Sequence, residues 1–268
     1  MCTTCGCGPE DQHHHNHDHD EKHDHGHTHA HRHEHKPEHQ HKHEHHDGTV
    51  AKTISVETDI LAKNNRLAEG NREFFTEKGV FVLNLVSSPG SGKTTILEKT
   101  LRDLQGKLNF AVIEGDQQTD NDAVRIAATG APVKQVNTGA GCHLDAHMVC
   151  HAADNFDMDS LDVLMIENVG NLVCPASFDL GENYKVVVLS VTEGEDKPLK
   201  YPNMFHNAQV MLLNKIDLLP YVDFDADKCK AFARRINPGI TIFDVSSKTG
   251  EGMDEWYNWL AAGARKKV

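Results

Sequence analysis

What the sequence lacks narrows it first. In 268 residues no uninterrupted apolar stretch approaches the roughly 20 residues that a membrane-spanning helix needs, and no apolar signal-peptide core follows Met1. The expectation is a soluble cytoplasmic protein with no membrane partner. Positive charge is in deficit: 27 Lys and Arg against 40 Asp and Glu leave a formal net charge of -13, the wrong sign for general nucleic-acid binding. Cysteine is too sparse for a disulfide framework, since the seven present are an odd number set singly or in one terminal cluster. Such thiols read as metal ligands or free cysteines in a reducing compartment. The length suffices for one sizeable domain with a real core, plus extras.

What is present is unevenly distributed. Cys2, Cys5 and Cys7 lie within one turn of chain, separated by little more than threonine and glycine. Three thiolates that close can wrap one soft or borderline ion such as Ni²⁺, Zn²⁺ or Cu(I), and the second Cys pair of a structural zinc ribbon is missing. Of the 21 histidines, all but His143, His147, His151 and His206 fall between His13 and His46, alternating with Asp, Glu, Lys and Gln. This stretch has too few apolar side chains to offset its ordering entropy, so residues 9–47 are expected to be a disordered metal-binding segment, a buffer of many weak imidazole sites. An engineered tag would be an unbroken histidine run. Residues 1–8 are then a cysteine metal-binding motif and 48–268 the folded domain, entered through a linker at Gly48 to Lys52 and a helix over Asp59 to Lys78.

The folded part is organised around one turn. The apolar run Val80 to Leu85 leads into Val86-Ser87-Ser88-Pro89-Gly90-Ser91-Gly92-Lys93-Thr94-Thr95, followed by Leu97, Leu101 and Leu104 at helical spacing. A strand ending in a glycine-bearing turn that opens a helix with Lys-Thr is the context of a phosphate-binding P-loop. Backbone N–H groups of Ser88, Gly90, Ser91, Gly92, Lys93, Thr94 and Thr95 would point at an anion, Gly90 and Gly92 allow close approach, Lys93 reaches the β/γ-phosphates and Thr94 reaches Mg²⁺. The glycine that usually begins this pattern is missing, and Ser87 stands in its place.

Further apolar runs at Phe110 to Ile113, Val133 to Val136, Leu161 to Ile166, Tyr184 to Val191, Val210 to Leu213 and Ile240 to Val245 read as buried strands of an α/β sheet. Two deliver carboxylates to the edge where such sheets bind ligands: Asp116 and Glu167, suited to Mg²⁺ and water positioning. Asp122 is either a further member of that set or a helix N-cap. Cys142 and His143 follow a glycine-rich turn and are expected at a helix start, where a thiol pKa falls. His143, His147 and Cys150 or His151 share a helical face, which allows a second, helix-borne metal site; packing or surface exposure is the simpler account of His147, Cys150 and His151. Cys174 lies in the loop after Glu167, one loop from the triphosphate. Asn214-Lys215-Ile216-Asp217 at a strand end selects guanine, because a carboxylate accepts from N1–H and N2–H₂, donors that adenine cannot offer. Ser246-Ser247-Lys248 resembles the second guanine-contacting loop of GTPases. Trp256, Trp259 and Leu260 belong to a closing helix and are expected in the core.

Taken together, the Cys2–Cys7 motif, the His-rich segment, Ser87 to Thr94, Cys142-His143-Leu144-Asp145-Ala146, Glu167 to Pro175 and Asn214 to Asp217 resemble the HypB family of hydrogenase maturation factors. Ser87 fits that family's Ser-Ser-Pro-Gly start. The resemblance implies a SIMIBI-class P-loop G domain with a mostly parallel sheet, slow GTP hydrolysis to GDP with Mg²⁺, and nickel delivery during [NiFe]-hydrogenase maturation. It also implies a GTP-dependent homodimer with Ni²⁺ or Zn²⁺ at Cys142, His143 and Cys174 in its interface. The partners implied are a HypA-like nickel chaperone and the hydrogenase large-subunit precursor, with tail storage as an added role. A urease-type nickel chaperone and a metal-storage protein with a vestigial GTPase are the alternatives. No arginine finger is obvious; Arg125 is the nearest candidate.

Overall fold

The computed structural model describes residues 47–265 apart from 118, 119 and 140, with side chains from 58 onward. Cys2, Cys5, Cys7 and the segment from His13 to His46 lie outside the described residues. The chain begins with α1 (Asp47–Glu77), longer than the helix expected from Asp59: Gly48 to Lys52, read as a linker, forms its first turns. One glycine and no proline in that stretch are too little to break a helix.

All seven expected strands form: β1 (Phe81–Ser87), β2 (Phe110–Asp116), β3 (Val133–Asn137), β4 (Val163–Gly170), β5 (Tyr184–Ser190), β6 (Val210–Asn214) and β7 (Thr241–Asp244). They make one sheet in the order β3-β2-β4-β1-β5-β6-β7, with every pairing parallel. Between them run α2 (Lys93–Asp103), α3 (Asn121–Ala127), α4 (Ala146–Ala153), α5 (Lys197–Lys200), α6 (Pro202–Asn207), α7 (Ala226–Ile236) and α8 (Met253–Ala264). Helices cover both faces, which is why the central strands are continuous apolar runs rather than alternating ones. In β1, Leu83 and Leu85 join a core with Leu97 of α2 and Trp256 of α8, while Val82 faces Phe75 of α1 and Val149 of α4. Trp256 is fully buried, and its indole N–H donates to Thr100 Oγ1 at 3.1 Å, fixing α8 against α2.

The strand order positions the site. After β1 the chain runs outward through β2 and β3, returns to insert β4 beside β1, then crosses to β5 on β1's other side. Such a reversal leaves a crevice outside the carboxyl ends of the central strands, where ligands bind in open α/β sheets. The P-loop leaves β1 there, Glu167 lies in β4 and Asn214 ends β6. Before its terminal Ser87, one residue breaks the apolar pattern of β1: Asn84, fully buried.

Candidate functional site

The P-loop takes the shape its glycines allow. Gly90 and Gly92 have φ of 77° and 93°, a left-handed region that L side chains avoid, and Gly92 precedes the first turn of α2. A Cβ on Gly92 would sit 2.5 Å from Asn214 Nδ2, so the close approach of β6 also requires glycine. Ser87, where the usual pattern has glycine, is the buried last residue of β1 and has no positive φ, so serine is unstrained there.

Lys93 and Thr94 converge on one carboxylate. Lys93 Nζ lies 3.1 Å from Glu167 Oε1, and Thr94 Oγ1 donates to the same oxygen at 2.6 Å. Glu167 Oε2 is buried without a hydrogen-bond partner. A buried, orphaned carboxylate oxygen beside a threonine hydroxyl is the donor chemistry a hard cation such as Mg²⁺ uses. β4 continues three residues past Glu167, which therefore stands inside the strand and not at its end.

Glu114 is a residue that reading the sequence passed over in favour of Asp116. It is aligned with Glu167 across the β2–β4 pair, is 2% exposed, and its Oε2 is likewise unpartnered. Burial first, then the negative charge of Glu167, pushes its carboxyl up to about 8. The signal was available: a glutamate closing the buried run Phe110 to Ile113 has no structural reason to be there. Asp116 sits at the end of β2, where its Oδ1 accepts from Gln117 N at 2.6 Å.

Asp122 is not the cap of α3, which is Asp120, and its charge is among those that raise the Glu114 carboxyl. It lies in the first turn of α3 and pairs with Arg125 at 3.1 Å. Arg125 is occupied: it also binds Glu98 at 2.9 Å and reaches Thr95 Oγ1 at 3.3 Å. Lys197, from the start of α5, also reaches the P-loop, donating to Ser88 Oγ at 3.3 Å.

The expected base-recognition elements are wired to the P-loop through the backbone. Asn214 Nδ2 donates to Ser91 O at 2.9 Å, and Lys215 Nζ to Gly90 O at 2.7 Å. Lys215 has φ 64°, the one positive value outside glycine among the described residues, a strain of about 1–3 kcal/mol that its contact with the P-loop offsets. Asp217 Oδ1 accepts from Ser246 Oγ at 2.6 Å, and Ser247 N donates to Asn214 Oδ1 at 3.3 Å. Lys248 is exposed beside them.

Cys142, His143 and Cys174 come together as well. One ligand atom from each lies within 4.8 Å of the others, a spacing that one tetrahedral or square-planar ion can span. The expected helix-start position of Cys142 is not found. α4 begins at Ala146 with Asp145 as its N-cap, accepting from Met148 N at 2.8 Å, so Cys142 precedes the cap. Its thiol pKa is raised, not lowered, first by a hydrogen bond with Cys174 and then by burial. Burial lowers the pKa of His143, favouring the neutral imidazole with a lone pair to give, and its ring lies 3.9 Å from that of Phe178, tilted by 45°. His147 and His151, one turn apart on α4, meet edge to face with Nε2 atoms 3.0 Å apart.

The model of the nucleotide-binding domain of the CobW/HypB/UreG family matches residues 81–244, from β1 through β7. The hydrogenase maturation factor HypB of Escherichia coli strain K12 is 64% identical over 209 residues, 78% of this chain and 72% of that protein. A probable HypB of Methanocaldococcus jannaschii is 44% identical over 213 residues, 80% of this chain and 96% of that one. Among solved structures, HypB from Helicobacter pylori in complex with nickel superposes with a TM-score of 0.73 at 41% identity, covering 76% of this chain and 96% of that one. The Archaeoglobus fulgidus HypB structure gives 0.71 at 42% identity, covering 76% and 99%. A parallel sheet with a P-loop after its central strand, read alongside these matches, means that this chain belongs to the CobW/HypB/UreG family and within it to the HypB branch.

Proposed function

We propose that this protein is a GTP-hydrolysing nickel metallochaperone acting in the cytoplasm during [NiFe]-hydrogenase maturation. The observation that carries the reading is a shared strand. β4 presents Glu167 to Lys93 and Thr94, and the next residue, Asn168, accepts from Leu144 N at 3.0 Å, directly after His143. The carboxylate that meets Lys93 and Thr94 and the amide that holds the loop after His143 are therefore neighbours in β4.

In this reading the amides of Ser88 and of Gly90 to Thr95 cradle the phosphates, and Lys93 exchanges its contact with Glu167 for the transferring phosphoryl group. Thr94, Asp116 and Glu167 hold Mg²⁺, whose chemistry is to neutralise charge that develops on the phosphate oxygens. Asn214 and Lys215 fasten the guanine-selecting loop to the P-loop, Asp217 accepts from the base edge, and Ser246, Ser247 and Lys248 close over it. Cys142, His143 and Cys174 hold Ni²⁺ or Zn²⁺ as cargo, Cys2, Cys5 and Cys7 bind a second ion, and the histidines of 9–47 store nickel. Two copies associate when GTP is bound, and the partners are a HypA-like chaperone and the hydrogenase large-subunit precursor. A metal affinity that differs between the GDP and GTP states is the linkage such a switch needs.

The test uses the full chain carrying Cys2→Ser, Cys5→Ser and Cys7→Ser, so that thiolate-bound metal reports the folded domain. Ni²⁺ and Zn²⁺ are titrated with GDP and then with a non-hydrolysable GTP analogue while oligomeric state is followed. Metal affinity and association state are expected to change together; no change in either would remove the switch.

A further inference from the structure

The two loops that bear the cysteine–histidine cluster are far apart in sequence, and little local structure holds them. Residues 141–145 have no helix or strand, and Cys174 begins a single 3₁₀ turn, Cys174–Ala176. Beneath them lies an uncommon feature, a lysine 5% exposed within the central strand β5. Lys185 Nζ donates to three backbone carbonyls, of Pro175 at 3.0 Å, Ala176 at 3.2 Å and Phe178 at 3.0 Å. All three follow Cys174 within four residues. An ammonium has three donors, and here all three are spent on one loop.

The other loop has a matching anchor. Asn168 Oδ1 accepts from Leu144 N at 3.0 Å and from its neighbour Val169 N at 3.0 Å. The two anchors are joined through the interior: Asn168 Nδ2 donates to Asn84 Oδ1 at 3.3 Å, Asn84 Nδ2 to Glu182 Oε1 at 3.0 Å, and that oxygen lies 3.8 Å from Lys185 Nζ. Asn84 thereby finds its reason, since a buried amide interrupting a core strand is tolerated only when its donors and acceptors are matched. What the network satisfies is backbone of the two loops, Leu144 N on one side and the carbonyls of Pro175, Ala176 and Phe178 on the other.

We propose that Lys185 and Asn168 are positioning residues for metal capture: Lys185 holds the Cys174 loop and Asn168 the His143 loop, with Asn84 and Glu182 setting their relative placement. This rests on the reading of Cys142, His143 and Cys174 as metal ligands. Neither residue touches the ion; they set where the sulfurs and the imidazole stand before it arrives, so that binding does not have to order two loops.

The experiment uses the full chain with Cys2, Cys5 and Cys7 replaced by serine, and Ni²⁺ as the probe. The readouts are the sulfur-to-nickel charge-transfer absorption, the nickel affinity titrated through that band so that the histidine segment does not contribute, and GDP affinity. Lys185→Met is paired with Glu182→Gln so that no buried charge is left alone, and Asn168→Ala is measured separately. Each variant is expected to bind GDP within about twofold of the parent, to bind nickel at least tenfold more weakly, and to lose or shift the charge-transfer band. A merely structural role would leave that spectrum unchanged. Parental spectrum and affinity in either folded variant would overturn the proposal. Failure of both to fold would overturn it too, because the network would then be a determinant of the fold. A parent protein with no charge-transfer band would instead refute the ligand assignment, so the two failures are distinguishable.

Discussion

Asp217 illustrates how much one side chain can decide. Its Oδ1 already accepts from Ser246 Oγ, which orients the carboxylate and leaves the other oxygen available. Asp217→Asn replaces an acceptor by a donor. GTP binding is expected to weaken at least about tenfold, the scale of one lost charged hydrogen bond of about 1.5–3 kcal/mol. Xanthosine triphosphate, with a carbonyl where guanine has its amino group, should gain; competition binding of the two nucleotides reads both changes. Cys229 shows the opposite, a thiol without access. It is fully buried in α7, and burial followed by the charge of Glu195 pushes it up to about 12. In native protein at pH 8, iodoacetamide is expected to label Cys150 and Cys174 and leave Cys229 unmodified until denaturant is added, as peptide mass spectrometry would show. Alkylation of native Cys229 at the rate of Cys174 would contradict its placement.

At the scale of elements, the informative contacts are those between a strand and the loop that crosses its end. Gly115, between Glu114 and Asp116 in β2, is where Leu144 seats: a Cβ there would lie 2.7 Å from Leu144 Cγ. Gly115→Val therefore lifts the loop carrying Cys142 and His143 off the sheet. We expect a loss of about 1–3 kcal/mol, typical of overpacking, measured by denaturant unfolding, together with weaker nickel binding. α1 ties the same loop from the outside. Asn64 Nδ2 donates to Asp179 O at 2.8 Å while its Oδ1 accepts from Ala146 N at 2.9 Å, and Asn71 Nδ2 reaches Ala146 O at 2.8 Å and Leu180 O at 3.0 Å. Asn64→Ala/Asn71→Ala should destabilise the domain by about 1–3 kcal/mol per unpaired backbone group at most, since the loss exposes Ala146 N and O to imperfect pairing.

For the whole molecule, nucleotide and stability are linked by mass action. GDP at about 100 times its Kd should add about 2.7 kcal/mol to the folded state. For a domain of this size that is a rise of roughly 5–10 °C in Tm, which ADP should not reproduce if Asp217 selects guanine. Among the described residues no helix is long and apolar enough to cross a membrane. The crevice at the carboxyl ends of β1, β4 and β6 is the part that a bound nucleotide would knit together, because it joins three strands through the P-loop, Glu167 and Asn214.

The sequence by itself determined the seven strands and the P-loop turn, because these follow from local rules: continuous apolar runs for strands covered on both faces and glycine where φ must be positive. It also carried the pairing of Cys142, His143 and Cys174 through their motifs. Three things depended on tertiary structure. Ser87 is unstrained because β1 extends through it; Cys142 lies before the Asp145 cap of α4, where a hydrogen bond with Cys174 and then burial raise its thiol pKa. And the tie between Asn168, Asn84, Glu182 and Lys185 joins residues as much as 98 positions apart, a separation over which no periodicity or spacing carries information. Only a sheet that sets β1, β4 and β5 side by side brings those polar groups within hydrogen-bonding distance.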